Sequence, residues 1–164
     1  MLSQFLLLFR GEGQAKTALR IDRHGVCPGE KQKVEIGKAE MNQGRLPVEF
    51  RDRTKRFAAA AIRLYVKLPK AGEEVRVLGK QLLRSGTSVA AHVREASRAR
   101  SDEEFVSKLG GALQETDESA LWLELLREEC GIGPELTTPL EAESSELIAI
   151  FTTMINRTKG NSRQ

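Results

Sequence analysis

The chain has 164 residues, of which 30% are charged, 40% apolar and 5% aromatic, with five prolines and two cysteines. That is room for one ordinary domain with tails. It excludes a collagen-like repeat, a disulfide framework and a multi-domain enzyme, and cysteine usage this sparse suits the cytoplasm. A net charge of +3 and a pI near 9.0 point to an acidic partner such as nucleic acid.

Residues 1–47 hold six of the 14 glycines and show no sustained periodicity. Gly11-Glu12-Gly13 and Pro28-Gly29 interrupt any helix. The run Phe5-Leu6-Leu7-Leu8-Phe9 is too short for a spanning helix and has no basic residue before it, unlike a signal peptide. A mostly disordered leader is expected, with Met41 as an alternative start.

From Phe50 the pattern turns helical. Phe57, Ala61, Leu64 and Leu68 recur at steps of four, three and four until Pro69 and Gly72 stop the helix. A second helix begins near Glu73-Glu74, whose carboxylates suit the positive end of a helix dipole. Its stripe is Val75, Leu78, Leu82, Gly86, Val89, Val93 and Ala96. Gly79 and Gly86 lower its propensity and are expected where another helix approaches closely.

Ser101, with Glu104 three residues later, is a capping box for the third helix. Its stripe reads Phe105, Leu109, Ala112, Thr116, Ala120, Leu123 and Leu126, widened by Trp122 and Leu125. Gly131 and Gly133-Pro134 end it. A fourth helix is expected over 139–158, capped by Thr138, with Leu140, Leu147, Ile150, Phe151, Met154 and Ile155 inward. Residues 159–164 read as a polar tail. Four helices with short Gly/Pro turns, and no strand-like alternation, predict an all-α, antiparallel up-down-up-down four-helix bundle over 48–158.

Charge is divided within that bundle. Residues 51–100 hold 13 basic and four acidic side chains, whereas residues 101–158 hold three basic and 13 acidic. Complementary pairing, within one bundle or between subunits, accounts for this, as does a basic face presented to phosphates. Arg51, Arg53, Lys55, Arg56, Arg63 and Lys67 are the candidate phosphate ligands. Arg53, Arg56 and Arg63 fall close to one face of the first helix.

The segment Gln81-Leu82-Leu83-Arg84-Ser85-Gly86-Thr87-Ser88-Val89-Ala90-Ala91-His92-Val93-Arg94-Glu95-Ala96 resembles the second helix of the ribosomal RNA intervening-sequence protein family. Arg98, Ser101, Glu104, Phe105 and Lys108 fit its next turn. Glu115-Thr116-Asp117-Glu118-Ser119 with Trp122-Leu123-Glu124-Leu125-Leu126 is similar to its third helix. The resemblance covers about residues 50–158 and has no counterpart for the leader. It implies an up-and-down bundle that tends to form a homopentamer and has no established enzymatic activity. Some members are encoded within segments interrupting large-subunit ribosomal RNA genes. A related bundle is the nucleic-acid-binding accessory protein of diversity-generating retroelements. His92 stands where the family usually has asparagine, which introduces a group able to change charge near neutral pH.

No assembled catalytic set is visible. His24 and Cys27 are two ligands where zinc needs four, or three plus water. Cys130 has no adjacent base, and neither Ser85 nor Ser88 completes a triad with His92. Neither histidine follows a glutamate by three positions, as a di-iron bundle requires. Glycines 11 and 13 are not followed by the Gly-Lys-Ser/Thr of a phosphate loop. Arg94, Glu95, Arg98, Lys108, Glu115, Asp117 and Glu118 are expected to form a structural polar network between neighbouring helices. Trp122 is expected to anchor the core or an interface. The sequence thus favours a non-enzymatic, homo-oligomeric scaffold for RNA or DNA, without cofactor, metal or membrane. The alternative is a protein–protein adaptor with no nucleic-acid role.

Overall fold

A computed structural model describes residues 44–70 and 72–161. Among them are four helices and no strand: α1 Val48–Lys67, α2 Glu73–Ser97, α3 Asp102–Glu128 and α4 Pro134–Asn161. The expected leader, with Met41, His24 and Cys27, lies outside the described residues apart from 44–47. Leu46 in that stretch is only 2% exposed and sits in the core, and the Arg45 N–H donates to Ser97 O at 2.8 Å. A bundle boundary drawn at residue 48 therefore leaves out a core side chain.

The helices form a bundle around one apolar core. Phe57, Ala61, Leu64, Leu82, Val89, Val93, Leu109, Leu123, Leu126, Leu147 and Phe151 are all buried in it. Packing is extensive for α1 with α2, α2 with α3, and α3 with α4, and sparse for α1 with α4. Glycine makes the α1–α2 approach possible. A Cβ on Gly86 would lie 2.7 Å from Ala61 Cβ, and one on Gly79 would lie 2.7 Å from Leu68 Cδ1. Such distances are inside van der Waals contact, so both glycines serve close approach at the expense of intrinsic propensity.

Ser101 caps α3, its Oγ accepting from Glu104 N at 3.1 Å. The Glu104 carboxylate reaches back one residue further than a capping box specifies and accepts from Arg100 N at 2.9 Å. Gly131, at φ +65°, turns the chain out of α3.

Three expectations need correction. First, α4 begins at Pro134 instead of Pro139, so Thr138 is no cap and Pro139 is interior. Pro134 has the fixed φ suited to a first helical position, and Leu136 N donates to Gly133 O at 3.0 Å. Pro139 lies near the helix start, where it removes one backbone bond only. Second, α4 continues through Asn161, because Gly160 alone costs about 1 kcal/mol and does not stop a long helix. Third, the buried position on α3 is Ser119, not Ala120. Ser119 is polar, so an apolar stripe skips it, yet its hydroxyl is satisfied inside: it lies 2.8 Å from Ser85 Oγ and donates to Glu115 O at 2.7 Å.

Candidate nucleic-acid interface

The basic side chains of α1 divide among three directions. Arg53 turns toward α4, where its Nε donates to Glu143 Oε1 at 2.6 Å. Its Nη2 donates to Glu143 Oε2 at 2.9 Å and to Glu146 Oε2 at 2.5 Å. Fork-on-carboxylate geometry is the strong form of this contact. The Glu143 hydrogen bond, opposed by burial and helped by Glu146, raises the guanidinium pKa further. Arg53 therefore ties α1 to α4 and is withdrawn from the exposed strip. Arg51 is half-buried, with its Nε enclosed and without a hydrogen bond among the described residues.

The strip that remains is Arg56, Arg63 and Lys67. These residues are seven and four apart, which places them on one helical face. All three are exposed, and none forms an ion pair among the described residues. Lys55 is exposed too but shares its face with Ile62 and Val66, which are 44% and 71% exposed.

Some of the anticipated polar network forms between α2 and α3, with other partners. Lys108 Nζ lies 2.7 Å from Glu95 Oε2. Through that hydrogen bond Lys108 holds the Glu95 carboxyl below the usual carboxylate range, and Glu95 raises the Lys108 ammonium in turn. His92 Nδ1 is 3.8 Å from the same carboxylate, and its ring covers Gly111. Glu118 pairs with Arg84 at 3.5 Å and accepts from Gln114 at 3.3 Å. Arg94, Arg98 and Asp117 point to solvent and form no ion pair among the described residues. Glu115 Oε2 is buried without a hydrogen-bond partner there.

Sequence reasoning missed Arg84, Glu143 and Glu146. Glu143 and Glu146 stand three apart on α4, a spacing that puts two carboxylates on one face and was a readable signal. It also missed Arg45, which pairs with Asp102 and lies 4.8 Å above the Phe105 ring.

The model of the 23S rRNA-intervening sequence protein family matches residues 48–153, which takes in α1 through most of α4. This chain belongs to the 23S rRNA-intervening sequence protein family. One solved relative, a protein of unknown function from the S23 ribosomal protein family of Bacteroides thetaiotaomicron, is 36% identical. The match covers 64% of this chain and 96% of that one, with a TM-score of 0.59. No curated protein matches the chain.

In this intervening-sequence family protein, Trp122 is half-buried and packs on the core, with its indole N–H enclosed and unpartnered among the described residues. Burial, assisted by Glu74 and Glu129, pushes the Cys130 thiol pKa up, which disfavours the nucleophilic thiolate. Among the described residues no group of three or more His, Cys, Asp or Glu is placed to hold a metal ion. No described helix is long and apolar enough to cross a membrane.

Proposed function

We propose that this protein is a non-enzymatic, homo-oligomeric helical bundle that scaffolds nucleic acid through the basic face of α1. The observation that carries the reading is the row Arg56, Arg63 and Lys67, exposed and without carboxylate partners among the described residues. Neighbouring guanidiniums and carboxylates neutralise one another; unpaired cations in a row are what a phosphate backbone recruits. The course of the chain in this reading is antiparallel, up-down-up-down. Leu68 at the end of α1 lying against Gly79 near the start of α2, with Ala61 against Gly86, supports it.

Self-association belongs to the same reading. Leu121 on α3 and Val77 on α2 are 46% and 45% exposed, and α3 carries apolar side chains on several faces. One seam cannot bury all of these, so a second copy covers the remainder. Five is the subunit number that the family resemblance implies, and the cytoplasm is the proposed compartment. A monomeric mass by light scattering overturns the self-association.

Filter binding of structured RNA at two salt concentrations tests the nucleic-acid reading. Binding that weakens as salt rises is the expected result. No binding at low salt, or binding indifferent to salt, overturns it. The adaptor reading is favoured by the same exposed Leu121 and Val77; capture of protein with no nuclease-sensitive material supports it.

A further inference from the structure

The α1–α4 seam is the loosely packed one, and it opens into a pocket at the C-terminal end of α1. Its apolar wall is Ala60 and Leu64 from α1 with Leu136 and Leu140 from α4. Arg63 and Lys67 stand on the α1 side, and Glu135 stands on the α4 side. The volume is about 220 Å³. That is below the range for drug-sized ligands, but it suits one flat ring.

We propose that this pocket takes a single unstacked nucleobase of a single-stranded nucleic acid, whose adjoining phosphates lie on Arg63 and Lys67. The proposal rests on the nucleic-acid reading above and gives it a substrate class. Three features argue for it. The two cations are adjacent on the helix face, about 6 Å apart along the axis at about 1.5 Å per residue, and both are unpaired among the described residues. They are continuous with Arg56, about two turns before Arg63 and about three before Lys67, so a strand following the strip ends over the pocket. The one acidic residue of the lining, Glu135, is on the opposite wall, its carboxylate folded back over Gly133. Glu135 repels a phosphate there but accepts a hydrogen bond from an exocyclic amino group, which sets the backbone against α1 and the base edge toward α4. Duplex nucleic acid cannot deliver a base into such a pocket without unstacking it, whereas a single strand can.

The test is fluorescence anisotropy on the full chain with two labelled oligonucleotides of equal length and charge: an oligocytidine, and the same backbone with abasic sites. The expected result is tighter binding of the base-bearing strand by about fivefold or more, from burial of the base's apolar faces against Ala60, Leu64, Leu136 and Leu140. Oligouridine, whose O4 replaces the cytosine amino group, binds more weakly than oligocytidine. In Ala60→Leu, which fills the pocket, the two cytidine-series strands bind alike. The wild-type comparison stands even if Ala60→Leu does not fold. Equal affinity of base-bearing and abasic strands for the wild type overturns the pocket and leaves the phosphate strip intact. Weaker and less salt-dependent binding in Arg63→Gln/Lys67→Gln, together with a base preference in the wild type, supports the proposal. Absence of any binding at low salt overturns both readings. Preference for a leucine-containing acidic peptide over an oligonucleotide of equal charge overturns the pocket in favour of a protein partner.

Discussion

Arg53 Nε lies 2.6 Å from Glu143 Oε1, and this contact joins α1 to α4 together with the edge-to-face pair Phe50–Phe151. Glu143 is the principal partner, since it takes two hydrogen bonds and Glu146 is far more exposed. Removing the arginine leaves a half-buried carboxylate without its cation. Arg53→Met is expected to destabilise the fold by about 1–3 kcal/mol, less than for a fully buried pair because Glu146 remains solvated. Urea unfolding measures it. In a double-mutant cycle Arg53 couples more strongly to Glu143→Gln than to Glu146→Gln, and the reverse order contradicts the assignment.

Gly86 is held to glycine by contact. Alanine gains about 1 kcal/mol of helix propensity. Its Cβ, however, would lie 2.7 Å from Ala61 Cβ, and overpacking costs about 1–3 kcal/mol. The clash outweighs the propensity, so Gly86→Ala lowers stability, and adding Ala61→Gly restores part of the loss. A stabilised Gly86→Ala, read by chemical denaturation, contradicts the close approach.

The fold was largely legible in the sequence. Three-and-four spacing gave the helices, the Ser101 cap fixed the α3 start, and the two glycines of α2 marked a close approach by another helix. Two things were not legible. Pro134 and Pro139 both suit a helix start, and only the packing of Leu136 and Thr137 against the bundle shows that the earlier one is used. The inward turn of Arg53 was also hidden. Charge totals and helical spacing place a side chain on a face, but its partner depends on which helix lies opposite.

The Ser101 cap provides a local check. Ser101→Ala removes the acceptor of the Glu104 N–H and is expected to cost about 1 kcal/mol. Ser101→Asp retains the acceptor and retains stability. Thermal unfolding distinguishes the two variants.

Acid sensitivity follows from Glu95 and Glu104. Lys108 lowers the Glu95 carboxyl, and the Arg100 N–H lowers that of Glu104, both from an ordinary 4.5. A depressed carboxylate contributes stability above its unfolded pKa and loses it as pH falls through the folded one. Stability should therefore decline below 4.5, with little change from these groups at higher pH. Glu95→Gln with Glu104→Gln flattens that decline in pH-dependent denaturation. An unaltered acid limb contradicts the assignment.

Phosphate recognition by Arg56, Arg63 and Lys67 carries the proposed function. Its most direct test is the slope of log binding constant against log salt for a single-stranded RNA, measured on the wild type and on Arg56→Gln/Arg63→Gln/Lys67→Gln. Each phosphate contact contributes about 0.7 to that slope for single strands. The predicted result is a triple variant with a slope shallower by about 2. A wild type that does not bind at low salt, or a triple variant with the wild-type slope, contradicts it.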